Sequence, residues 1–257
     1  MVWRKFPYPD VTYHYPAAKL EQHWPRLHRG DCEPLPSDDK VQDAWRQYHA
    51  GEFEAAVNAG LACGLAGYNV ANKAATIYAH SLESDDARKQ KLLQEVVGRC
   101  EKLQQAAPQD VNGWYLHALA LGRYSQSISI AKALTQGLGG KIKHSLSKAL
   151  ELAPRHADAH IALGAYHAEV IAKVGAMVGG LTYGANKETC QNLLQQALQL
   201  NPESAIARIE YANALVMVFG KSRLQEAEKL YAEAALCRAA DAMERLDVQV
   251  AIEETSD

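Results

Sequence analysis

The chain has 257 residues, 48% of them apolar and 22% charged, with a net charge of −3. That length can bury a sizeable core. The missing basic excess excludes a general nucleic-acid binder and argues against electrostatic docking on membranes. Five scattered cysteines with no Cys-x-x-Cys pair fit reduced thiols rather than a disulfide framework.

The first sixteen residues, MVWRKFPYPDVTYHYP, lack the apolar run of a signal peptide. The most apolar window, Val170–Leu181, is interrupted by Lys173 and falls short of the roughly 20 residues that span a bilayer. The expectation is a soluble, cytoplasmic protein with no membrane span.

Residues 1–36 hold six of the nine prolines together with Trp3, Phe6, Tyr8, Tyr13, Tyr15 and Trp24. Proline blocks regular helix, so this is an irregular arm with one short helix around Ala17–His23. Large rings avoid water, so the arm is expected to lie against the body of the protein. The alternative is docking onto a second subunit.

From Ser37 the composition turns helical. Ser37 and Asp38 are cap candidates, and Gly51-x-Phe53-x-x-Ala56 reads as a tight turn opening a second helix. Residues 68–82 and 87–106 form the next pair, in which Leu92, Val96, Cys100 and Leu103 make one apolar stripe. Alternating strand patterns are nearly absent, so the chain is expected to be all-α.

A period then emerges. Pro108, Pro154 and Pro202 are 46 and 48 residues apart. Two of them close matching blocks, Leu146-x-x-Ala149-Leu150-x-Leu152-x-Pro154 and Leu194-x-x-Ala197-Leu198-x-Leu200-x-Pro202. Small residues at a fixed place let helices approach closely, and periods of this size indicate stacked helical hairpins. The units are approximately 38–66, 67–110, 111–156, 157–204 and 205–240. Asp241-x-x-Glu244 reads as a capping box opening a last helix over 241–253, with Met243, Leu246 and Val250 as its apolar stripe.

These residues resemble tetratricopeptide repeats. Ala227-x-x-x-Tyr231-x-x-Ala234 matches the second-helix pattern, Trp114 the first-helix Trp, and Leu163-Gly164 the Leu-Gly pair. The resemblance covers roughly residues 38–257 and implies a right-handed α-α superhelix of helical hairpins. The two central units exceed the usual length of about 34 residues by about 12 and 14. The surplus falls between their two helices, at Ile130-Ala131-Lys132 to Gly139-Gly140 and at Ile171-Ala172-Lys173 to Gly179-Gly180. Its simplest form is a first helix extended by two or three turns and ended by the glycines. Transporter-associated periplasmic repeat proteins have similarly long hairpins, but the missing signal peptide argues against their role here.

The resemblance also implies function: a non-enzymatic scaffold that binds a protein or peptide segment on the face made by first helices. Carried over by position, that groove comprises Tyr115, Leu119 and Arg123, then Asp158, Ile161, Ala165 and Glu169, then Ile209, Asn213 and Met217. Its apolar centre suits a segment with apolar anchors better than an acidic tail. The alternative is a small apolar or lipid ligand held between the lengthened stretches 130–142 and 170–184. Those stretches could also be covered by each other, by the arm, or by a second copy in a homo-oligomer.

No catalytic motif is present, so no enzyme activity and no cofactor are expected. His156, His160 and His167 share one side of a helix, which raises a metal site. His160 and His167 lie about 10 Å apart along the axis, too far for one ion, and read as packing residues. Gly137-x-Gly139-Gly140-Lys141 follows no strand and lacks the Gly-Lys-Ser/Thr ending of a phosphate loop.

Overall fold

The structure, a computed structural model, describes residues 3–256. Among the described residues there are fourteen α-helices, three short 3-10 turns and no strand. They form two compact units. The first holds the chain up to His28, Glu33–Ser129 and Ala240–Met243. The second holds Arg29–Cys32, Ile130–Ala239 and the chain from Glu244 onward.

In the first unit, α1 (Ala17–Leu27) belongs to the arm. The hairpins α2 (Asp39–His49)/α3 (Phe53–Ala62) and α4 (Tyr68–Ser81)/α5 (Asp86–Ala106) follow, then α6 (Val111–Gln126). Each of α2, α5 and α6 opens on an aspartate, Asp38, Asp85 or Asp110, whose carboxylate accepts an amide of the first turn. Such caps satisfy amides that have no partner inside the helix. First helices stack on first helices, α2 on α4 and α4 on α6. Trp45, Tyr48, Tyr78, Leu93 and Leu116 are fully buried between the layers.

In the second unit, α7 (Ile130–Thr135) leads into α8 (Leu138–Leu152). The hairpins α9 (Ala157–Val174)/α11 (Lys187–Leu200) and α12 (Ala205–Phe219)/α13 (Leu224–Ala235) follow, with α10 (Ala176–Tyr183) inserted in the first of them. The core joins Ile161, Leu194, Ala197, Tyr211 and Leu215. Gly164 makes a close crossing: a Cβ there would sit 2.6 Å from Leu194 Cγ. The last helix, α14 (Ala242–Glu254), seals this core with Val248 and Ala251 against Ala205, Ile209 and Ala234.

Two details differ from the sequence reading. The surplus residues do not lengthen first helices; they form the separate short helices α7 and α10. The breaks fall at Gly175 (φ +82°) and Gly184 (φ +63°), conformations that side chains oppose. Gly139-Gly140 and Gly179-Gly180 lie inside helices α8 and α10 instead. Asp241, directly ahead of α14, accepts from His49 Nδ1 at 2.8 Å, with both side chains buried. Along α14, Val250 is exposed while Val248 is buried, so the apolar stripe runs through Leu246, Val248 and Ala251.

Candidate binding faces

The arm is packed, not free. Phe6, Tyr13, Tyr15, Leu20 and Trp24 are buried. Trp24 meets Trp45 edge-on with centroids 5.8 Å apart, and His28 meets Trp45 at 4.6 Å. Trp3 lies 3.8 Å from the Tyr78 ring, whose hydroxyl accepts the Arg4 amide at 3.0 Å. Edge-to-face rings add attraction beyond the area they bury. The aromatics counted in the sequence therefore dock the arm on the first helices α2 and α4.

The polar end of this contact centres on Glu33. Trp24 Nε1 donates to the Glu33 carbonyl at 2.7 Å. The Glu33 carboxylate accepts from Asn112 Nδ2 at 2.6 Å and from Asn69 Nδ2 at 3.1 Å. Asn69 also donates to the Asp110 carboxylate at 3.2 Å. Both asparagines are buried in the first turn of a first helix, α4 or α6. Donors aimed at a carboxylate from a buried position make a strong hydrogen bond. A lone glutamate and lone asparagines carry no sequence pattern; the repeated place of Asn69 and Asn112 at the start of first helices is the available signal.

In the second unit, residues 29–32 meet α9 and its neighbours in the same manner. The Asp158 amide donates to the Gly30 carbonyl at 3.0 Å, and Arg29 pairs with Glu203 at 3.1 Å. A Cβ on Gly30 would collide with the Asp158 carboxylate.

The positions carried over as groove residues divide into two kinds. Tyr115, Ile161 and Ile209 are buried in seams between helices, Ile161 in the core of the second unit and Ile209 beneath α14. Leu119, Arg123, Asp158, Ala165, Glu169 and Asn213 are half-buried, and Met217 is exposed. Arg123 reaches Gln126, Glu169 pairs with Lys173, and Asn213 accepts from the Tyr231 hydroxyl.

Each of the three histidines bonds to backbone. His156 caps α9, its Nδ1 accepting the Ala159 amide. His160 Nε2 reaches the Pro154 carbonyl at 2.9 Å. His167 Nδ1 accepts the Asn186 amide at 3.1 Å; burial first, then the charge of Lys143, lowers its pKa to about 4. Among the described residues, no group of three or more His, Cys, Asp or Glu is arranged to hold a metal ion. Burial pushes the Cys190 thiol up to about 11 and raises that of Cys100 further. Neither is a ready nucleophile.

Helical hairpins with first helices stacked on one another, and a small residue at the close crossing, define a tetratricopeptide-like helical repeat protein. The comparisons agree at the level of fold. A thermophilic tetratricopeptide repeat protein of Thermus thermophilus superposes with a TM-score of 0.59 at 16% identity, covering 84% of this chain and 98% of that one. The family model for regulator of microtubule dynamics proteins 1–3 matches residues 64–175. No curated protein sequence matches the chain. No helix among the described residues is long and apolar enough to cross a membrane.

Proposed function

We propose that the protein is a non-enzymatic scaffold that binds a polypeptide segment on the faces of its first helices. The observation that supports this is the arm: Trp24 and Glu33 lie on first helices of the first unit through aromatic contacts and asparagine donors. A surface that holds one aromatic-rich segment has the chemistry to hold another. The half-buried and exposed positions Leu119, Arg123, Ala165, Glu169, Asn213 and Met217 are where a partner would touch. Tyr115, Ile161 and Ile209 support that surface from beneath, so a charge placed on them would break the core instead of testing the face. The matched family description favours a partner from the microtubule cytoskeleton.

The test is capture from lysate and co-sedimentation with polymerised tubulin, comparing the wild-type chain with Leu119→Glu, Ala165→Glu and Met217→Glu. Loss of one specific partner in these variants, with melting temperature unchanged, is the expected result. Retention of every specific partner by all three would overturn the assignment of the face.

A further inference from the structure

Two carboxylates from separate parts of the first unit meet at one atom. Glu33 lies in the arm, and Asp110 is the cap ahead of α6. Asn69, in the first turn of α4, reaches between them. Its Nδ2 lies 3.3 and 3.1 Å from the two Glu33 carboxylate oxygens and 3.2 Å from each oxygen of Asp110. Four carboxylate oxygens thus surround one nitrogen at nearly equal distances. A neutral amide has two hydrogens to share among them and no net charge to offset two anions. The donors that reach Asp110 are Asn69 Nδ2 and the Gly113 amide, both neutral. Asn112 Nδ2, neutral as well, donates to Glu33 at 2.6 Å. Carboxylates brought together repel, and a cation among them reverses that cost.

The other end of the same amide supplies a second observation. Asn69 is 8% exposed, and its Oδ1 is buried without a hydrogen-bond partner. A buried acceptor left without a donor is costly. Turning the amide about its Cβ–Cγ bond brings Oδ1 to the place of Nδ2, among the four carboxylate oxygens. That arrangement is repulsive by itself and favourable around a cation.

The three side chains offer oxygen ligands, which select a hard cation over zinc or copper. Calcium accepts about six to eight oxygens at flexible angles, including carboxylates bound through both oxygens, whereas magnesium demands a small octahedron. Glu33 and Asp110 are half-buried, so water reaches the remaining positions. We propose that Glu33, Asp110 and Asn69 Oδ1 form a calcium site that fastens the arm to α4 and α6.

The test is terbium luminescence of the full chain, because terbium substitutes for calcium and is excited through nearby tryptophan. Trp24 Nε1 donates to the Glu33 carbonyl at 2.7 Å and Trp114 Nε1 to the Pro108 carbonyl at 2.9 Å, so both rings lie beside the site. Saturable emission is expected, displaced by calcium at about one tenth or less of the magnesium concentration required. Glu33→Gln and Asp110→Asn should each weaken calcium about tenfold or more, with circular dichroism unchanged in a chelator. Asparagine at the second position still caps α6. Asp85→Asn, the same change at the cap of α5, should leave calcium affinity unchanged. Asn69→Asp adds a third carboxylate, so it should melt below the wild type in a chelator and regain that loss with calcium. No saturable emission would overturn the proposal. Wild-type affinity in Glu33→Gln and Asp110→Asn would put the ion on scattered surface carboxylates and overturn it too. So would an Asn69→Asp chain whose melting temperature calcium does not raise.

Discussion

His167 couples the stability of the second unit to pH. It is 4% exposed on α9, and its Nδ1 accepts the Asn186 amide where α11 begins. An acceptor at Nδ1 requires the neutral ring with its proton on Nε2. Burial and Lys143 hold the folded pKa at about 4, against 6.5 for the free side chain. The unfolded chain thus takes up a proton first as pH falls. The contribution of this residue is complete above pH 6.5 and is lost through the window down to pH 4. The full gap corresponds to about 3 kcal/mol, of which about 2 kcal/mol is gone by pH 5. Urea unfolding followed by circular dichroism at pH 7.5 and pH 5.0 measures that loss. His167→Asn keeps an oxygen acceptor for the Asn186 amide but cannot titrate, so it should remove about 2 kcal/mol of the pH dependence. Parallel declines for wild type and variant would refute the reasoning. So would an imidazole resonance of His167 titrating near pH 6.5.

Leu194 is fully buried in the second unit, and Leu194→Ala should cost about 2–5 kcal/mol by denaturant unfolding. Gly164→Val should be of similar severity, because its Cβ would meet the Leu194 side chain at 2.6 Å across the hairpin. Trp24→Ala should remove about 3–5 kcal/mol from the first unit and expose the rings of Trp45 and His28, seen as a red shift of tryptophan emission. Iodoacetamide mass mapping should modify exposed Cys32 in the native protein, while Cys100 and Cys190 react only after unfolding.

Much of the fold was readable because helical repeats encode it locally. A leucine ladder closed by Ala149 or Ala197 states which side of a helix is buried, and the prolines mark the returns. The position of Gly164 in the Leu-Gly pair needed no structure, since only a small residue permits that crossing. The short helices were not readable in the same way. Ile130–Thr135 and Ala176–Tyr183 have good helix formers on both sides of their breaks, so an unbroken helix and two short ones have nearly the same sequence. The decision rests on positive φ at Gly175 and on Gly184 ending α10, and spacing alone does not report backbone handedness.

The candidate faces were less readable still, for a physical reason. In the first unit the side chains that matter are Glu33, Asn69 and Asn112, drawn together from residues up to 79 apart by the docking of an arm with no periodicity. Pattern methods see recurrence, and this contact has none.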